Sequence, residues 1–229
     1  MRNIPFHLTL AMLVIGCTSP EQGAVPSAVL GADVQPQVRA NPVLAEDSPD
    51  DWRKGDSLIA TMGSLEGKVV ADLFAGDGYY TWKLLKAGAR VLAIDDDPAA
   101  IASLNARKVA EGIGDDRLIV RATMPGIVGL LQNEADLALI TREVSTLGDR
   151  PAWFAQLFPG VKPPSTIFIV NFLPGSAQVG PPLNQRMDYG TVRDELNSYG
   201  FTDVGILYKR LPYRYILFAR IAQESPGQP

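Results

Sequence analysis

Lys68–Asp97, KVVADLFAGDGYYTWKLLKAGARVLAIDDD, is the stretch on which the fold turns. Val69, Val70, Leu73 and Phe74 form a short apolar run of the kind that makes a buried parallel strand. Gly76 and Gly78 then allow a sharp turn and a close approach of backbone to ligand. Tyr80, Leu84 and Leu85 continue at helical spacing until Gly88 stops the helix. Val91, Leu92 and Ile94 form a second buried strand, with Asp95 at its carboxyl end. In an open α/β sheet, ligands bind outside the carboxyl ends of the strands. The glycine turn and Asp95 should therefore meet the two ends of one ligand.

A carboxylate there suits a nucleoside, because it can accept both ribose hydroxyls. A dinucleotide fingerprint wants a third glycine three residues after the second, and Thr81 stands there, behind Tyr79 and Tyr80. No Gly-Lys-Ser/Thr follows, so the P-loop pattern fails. Unpaired carboxylates would repel a pyrophosphate but suit a cation.

These residues resemble the class I S-adenosylmethionine-dependent methyltransferases. Asp72-Leu73-Phe74-Ala75-Gly76-Asp77-Gly78 is similar to the family's first motif, and Asp95 to its ribose-binding acid. Many members have glycine where Phe74 stands. The resemblance implies S-adenosylmethionine as cofactor. Asp72 then orders the turn and faces the ammonium, and Ala75 to Gly78 offer backbone N–H groups to the amino acid end. Asp96 flanks the adenosine, although Asp96 and Asp97 equally suit the positive end of the next helix. Many members bond adenine with an acid after the third strand. Here Arg121-Ala122-Thr123-Met124-Pro125 has none, which leaves backbone groups to bind adenine and Met124 to pack on the ring.

The chain opens with Met1-Arg2-Asn3, then runs from Ile4 to Gly16 without Asp, Glu, Lys or Arg. About thirteen residues, with only His7 able to titrate, are too few for a membrane-spanning helix, which needs ~20, but suit a secretory signal. Val14-Ile15-Gly16-Cys17 resembles the bacterial lipoprotein box, which implies cleavage of residues 1–16 and acylation of Cys17. Several acyl chains at one residue would anchor the protein stably. The absence of Asp after the cysteine points to the outer membrane, facing the periplasm. Cys17 is the single cysteine, so a disulfide framework and a cysteine metal site are excluded. Residues 17–49 carry recurrent proline without helical or strand period and read as a disordered tether.

The folded domain is expected over 50–221, with a disordered tail at 222–229. That length supports one buried core. The net charge is −4, and no basic run is interleaved with aromatics, which argues against nucleic acid as partner. Strand and helix alternate. One helix is expected over 50–62, one after Pro98 with Ile101, Leu104, Asn105 and Val109 inward, one over 125–131, one from Asp149 through Leu157 and one over 189–199. Strands are expected over 68–74, 89–95, 117–120, 136–140, 165–172, 201–209 and 213–221. The last two have no helix between them and must pair antiparallel. The result is an α/β fold in three layers, α/β/α: a Rossmann-like sheet ending in an antiparallel hairpin, as in class I methyltransferases. Gly180-Pro181-Pro182, Arg186, Glu195 to Phe201 and Leu211-Pro212-Tyr213-Arg214-Tyr215 are similar, in order, to the tail of a bacterial subgroup of predicted methyltransferases.

In the family, the end of the fourth strand faces the transferable methyl. Here it reads Thr141-Arg142-Glu143-Val144-Ser145, without the Asn-Pro-Pro-Tyr pattern of amino methylation and without the subgroup's Tyr-His-His element. His7 is the only histidine, so the commonest general base is absent beyond residue 7. Glu143 is the candidate base if burial raises its pKa, and Arg142 the candidate for orienting an anionic substrate. Both also read as loop residues paired with their neighbours. The loop over 173–187 should cross the top of the sheet as a lid, with Arg186 available to a ligand. Two functions fit: methyl transfer to a small-molecule acceptor, or a non-catalytic, lipid-anchored binding protein that kept the fold.

Overall fold

The computed structural model describes residues 49–175 and 179–222. The expected signal, Cys17, nearly all of the tether and the tail from residue 223 onward lie outside the described residues. Among those described, no helix is long and apolar enough to cross a membrane.

The elements are α1 (Pro49–Arg53), α2 (Gly55–Thr61), β1 (Val69–Leu73), α3 (Tyr79–Lys86), β2 (Arg90–Asp95), α4 (Pro98–Ala110), β3 (Leu118–Ala122) and β4 (Ala135–Ile140). They continue with α5 (Arg150–Ala155), α6 (Leu157–Gly160), β5 (Val161–Phe172), α7 (Tyr189–Ser198), β6 (Thr202–Leu211) and β7 (Arg214–Ile221). The sheet order is β3-β2-β1-β4-β5-β7-β6. The first five strands are parallel, and β7 pairs antiparallel with both β5 and β6. The reversed final strand and the hairpin are as the sequence led us to expect.

Alternation along each strand builds two apolar layers. Ala71, Leu73, Leu92, Ile94, Ala138 and Ile140 face Trp153, Phe154, Leu157, Val192 and Leu196 of α5, α6 and α7. Val70, Val91, Ala93, Leu137 and Leu139 face Leu58, Leu84 and Leu104 of α2, α3 and α4. A fully buried leucine such as Leu84 contributes about 1.5–3 kcal/mol of transfer free energy.

Four expectations are corrected. The first helix breaks in two at Lys54, which lies in the left-handed region (φ 45°). Gly55 after it carries no side chain because a Cβ would collide with Lys83 and Tyr79. No helix forms over 125–131, because Gly126 (φ 82°) and Gly129 (φ 77°) both leave helical space. The helix after Asp149 divides into α5 and α6 at Gln156, and Asp149 caps the first by accepting from Ala152 N at 3.1 Å. On α4 only Leu104 is buried, and Val109 is 80% exposed. That helix covers β2 and the edge strand β3, so only a narrow stripe meets the sheet.

Candidate functional site

The glycine turn lies at the carboxyl end of β1, between the ends of β2 and β4. Asp72 is fully buried on the α3 side of the sheet. One carboxylate oxygen, Oδ2, accepts from Thr81 Oγ1 at 2.6 Å, while Oδ1 has no hydrogen-bond partner. Burial pushes its pKa up to about 7, against the lowering effect of the Thr81 bond and with repulsion from Asp95 and Asp77.

Asp95 closes the turn from β2. Its Oδ2 accepts from Gly76 N and its Oδ1 from Asp97 N, both at 2.8 Å. Each oxygen keeps a second lone-pair direction for a hydroxyl donor. Ala75 N donates to Ile94 O and Gly78 N to Ala75 O. Of the N–H groups that the turn from Ala75 to Gly78 was expected to offer, that of Asp77 is the one left uncommitted among the described residues. The Asp77 side chain instead pairs with Arg53 of α1 at 2.7 Å. At Gly76 (φ 55°) a Cβ would have only Phe74 O within 4 Å, so the space beside it is open. At Gly78 (φ 77°) a Cβ would meet Leu104 and Trp82 at 2.7 Å. That glycine is required by packing as well as by the turn.

Phe74 stands in the left-handed region (φ 63°), which a bulky residue adopts at a cost of roughly 1–2 kcal/mol. Its ring stacks on Trp153 at 5.6 Å, and the Arg142 guanidinium lies 3.8 Å from its centre on the cation–π side. Arg142 binds Asp96 through two bonds, of 2.7 and 2.9 Å. The pair joins the end of β4 to the end of β2 and so passes over β1 and Phe74. Arg142 holds the Asp96 carboxyl below the usual carboxylate range. Asp96 and Arg142 are thus partners of each other, a pairing that the sequence reading did not name. They line a cleft of about 320 Å³ with Phe74, Pro125, Gly126, Leu147 and Trp153. Met124 is 71% exposed and forms no part of that wall, which Pro125 and Gly126 make instead. Thr141 is half-buried between β4 and Arg142. A larger cleft, of about 830 Å³, runs between α3 and α4, and no residue of the turn nor Asp95 lines it.

Glu143 turns away from Arg142, toward β5. It is 8% exposed, its Oε1 accepts from Phe172 N at 2.8 Å, and its Oε2 is buried without a partner. Burial raises its pKa to about 7, opposed by the Phe172 N–H and by the cations Arg214 and Arg186. Arg214, at the start of β7, is 7% exposed. It donates to Tyr80 Oη at 3.0 Å and lies 4.3 and 4.7 Å from the ring centres of Phe172 and Trp52, while its Nε has no partner. Sequence reasoning named Arg214 only within a family-like string and gave it no role. The signal was there: an arginine flanked by aromatics at the mouth of a hairpin. Arg186 is corrected as a ligand group. It donates to the carbonyls of Leu173, Val179 and Pro181 at 2.5–3.0 Å, and so pins the loop it belongs to.

The fold is that of the S-adenosylmethionine-dependent methyltransferases. A SAM-dependent methyltransferase from Aquifex aeolicus superposes with a TM-score of 0.70 at 20% identity, over 79% of this chain and 96% of that one. A possible exported protein from Bordetella parapertussis gives 0.59 at 18% identity, over 81% and 71%. In sequence, the tRNA U34 carboxymethyltransferase of Cellvibrio japonicus is 34% identical over 64 residues, 28% of this chain and 20% of that protein. Ribosomal RNA small subunit methyltransferase H of Agrobacterium fabrum is 44% identical over 55 residues, 24% and 16%. The chain thus spans about a fifth or less of the curated relatives it matches. No family model matches it.

Proposed function

We propose that the chain is an S-adenosylmethionine-dependent methyltransferase acting on a small-molecule acceptor. The observation that carries this reading is Asp72, a fully buried carboxyl with one oxygen unsatisfied at the foot of a glycine turn that Asp95 closes and that is open beside Gly76. A buried acceptor without a donor is costly, and a ligand ammonium relieves it. Asp72 and the Asp77 N–H would hold the amino acid end of the cofactor, and Asp95 the ribose hydroxyls. When bound, the cofactor supplies a methyl group on a sulfonium. Glu143 is the base available to an acceptor. With a pKa of about 7 it suits proton uptake near neutrality, through Oε2, from an O–H or N–H nucleophile. Arg142 is not placed to catalyse, because Asp96 holds it. The depth of Glu143 and Arg214 favours a small acceptor over a nucleic acid, although the curated relatives act on RNA.

We further propose a lipid anchor at Cys17 and a place on the periplasmic side of the outer membrane. The description of the Bordetella fold neighbour as a possible exported protein is in keeping with that reading. Fatty-acid label that persisted in a Cys17→Ser variant would overturn it. Export creates a difficulty, since the cofactor is charged and made inside the cell. A second reading, a binding protein without catalysis, draws on the Arg142–Asp96 pair that roofs the turn and on Phe74 in place of glycine. Calorimetric titration of S-adenosylmethionine into the full chain separates the two. Micromolar binding (about −8 kcal/mol) that Asp95→Ala abolishes is the expected result, whereas no heat from folded protein favours the second reading.

A further inference from the structure

Glu143 and Arg214 present a pattern that the cofactor site does not use. Each is more than nine-tenths buried, each influences the other's ionisation, and each keeps one polar atom without a hydrogen-bond partner. Native proteins rarely leave such atoms unpaired. Burial lowers the Arg214 pKa, countered by Tyr80 and Glu143. The cation is therefore held in a poorly solvated place where an anion would be welcome.

The surroundings are flat and aromatic. Trp52 and Phe172 stack at 6.0 Å, and the Arg214 guanidinium rests against both rings. Trp52 belongs to α1, a helix of five residues. Polar contacts hold α1 down: Arg53 to Asp77, Tyr79 Oη and Lys83 to Asp50 at 2.5 and 2.9 Å, and Tyr80 Oη to the Arg53 carbonyl at 3.4 Å. It ends at Lys54, the left-handed residue that separates it from α2. A ligand in the place of Trp52 requires α1 to swing about Lys54 and to break these contacts, while α2, with Leu58 and Ile59 in the core, stays in place.

The geometry points to a recess beneath α1 that takes a small planar carboxylic acid, the arene carboxylate class, as the acceptor of the proposed reaction. This deepens the methyltransferase reading and rests on it for the acceptor role, but not for binding. The ligand carboxylate pairs with Arg214 Nε, whose planar fork matches it. The ligand ring takes the stacking place of Trp52 against Phe172 and the guanidinium. Glu143 Oε2, buried without a partner, would take the proton of a ring hydroxyl as that oxygen forms its bond to the methyl carbon and the carbon–sulfur bond of the sulfonium breaks, the cofactor leaving as the neutral thioether.

The experiment is binding of 4-hydroxybenzoate and of its neutral isostere 4-hydroxybenzamide to the full chain without cofactor, at pH 6.5 and pH 8. The expected result is carboxylate binding at least tenfold tighter than the amide, and tighter at pH 6.5, where Glu143 carries less charge. Arg214→Gln should erase the preference, and Glu143→Gln should strengthen carboxylate binding severalfold at pH 8. Equal binding of the two probes, no binding of either, or a preference that survives Arg214→Gln overturns the recess. If circular dichroism shows Arg214→Gln unfolded, Glu143→Gln decides: unchanged affinity overturns the inference. A separate S-adenosylmethionine titration keeps the two readings apart. Carboxylate preference without cofactor binding supports the recess and removes only the acceptor role.

Discussion

Asp72 is the residue on which the cofactor reading can be tested most directly. Its carboxyl ionises near pH 7 in the folded protein because burial penalises the charge. A ligand ammonium beside Oδ1 would pull that pKa back down. Cofactor binding should therefore release a fraction of a proton between pH 6 and 7. Calorimetry in buffers of different ionisation enthalpy checks this, and Asp72→Asn should abolish the buffer dependence. Affinity should rise with pH up to about 8 and then level. Phe74 offers a second test. At φ 63° an L-residue is strained, so Phe74→Gly should be less destabilising than Phe74→Ala by about 1 kcal/mol, the reverse of the usual order. Urea denaturation of the two variants gives the comparison. The Asp72, Gly76, Gly78 and Asp95 constellation was legible in the sequence because turn chemistry and strand ends are local. The commitments of individual groups were not. That Asp96 is spent on Arg142, that Gly76 N is spent on Asp95, and that Arg186 is spent on three carbonyls depend on contacts between segments 5 to 46 residues apart.

The elements tell a similar story about what local pattern can and cannot decide. The strands from β1 to β5 and the helices α3 and α4 stand close to where apolar runs and glycine stops put them. The errors fall where backbone conformation overrides side-chain pattern: Lys54 splits one helix, and Gly126 and Gly129 forbid another. β5 also begins earlier, at Val161 rather than Ser165, because Val161 pairs with Ala135 across a register shift. Gly205 in β6 illustrates a requirement that no periodicity reveals. It sits opposite Phe218 of β7, and a Cβ there would run into the phenylalanine ring. Gly205→Ala should cost about 1–3 kcal/mol through overpacking, and Gly205→Ala with Phe218→Leu should recover most of it. Thermal melts of the single and double variants test the coupling. On the opposite side of the sheet, Arg150 and Glu195 tie α5 to α7 through two bonds of 2.7 and 2.8 Å. With both side chains partly exposed, that pair is worth only up to about 1 kcal/mol.

Taken together, the two buried carboxyls should shape the pH dependence of the whole domain. Asp72 and Glu143 both ionise near pH 7 when folded, and near pH 4 when unfolded. A raised pKa means that the protonated form favours the fold. Their contribution is full below about pH 4 and is lost as pH rises to about 7. Asp96 and Glu134, whose arginine partners lower their pKa values, act in the opposite sense and lose their contribution in acid. Stability should therefore peak near pH 5 and fall toward pH 8. A melting temperature higher at pH 8 than at pH 5 would contradict this, and Asp72→Asn should flatten the decline.

The place of β7 has a consequence in time. It is the last strand in the described chain, yet it sits between β5 and β6. During synthesis from the amino end, every other strand is complete before residues 214–221 leave the ribosome. Until then β5 has one bare flank, and β6 has no strand beside it. The domain therefore closes late, by insertion rather than by addition at a rim. Emergence of residues 214–221, not the making of the glycine turn, is the moment at which the sheet becomes whole.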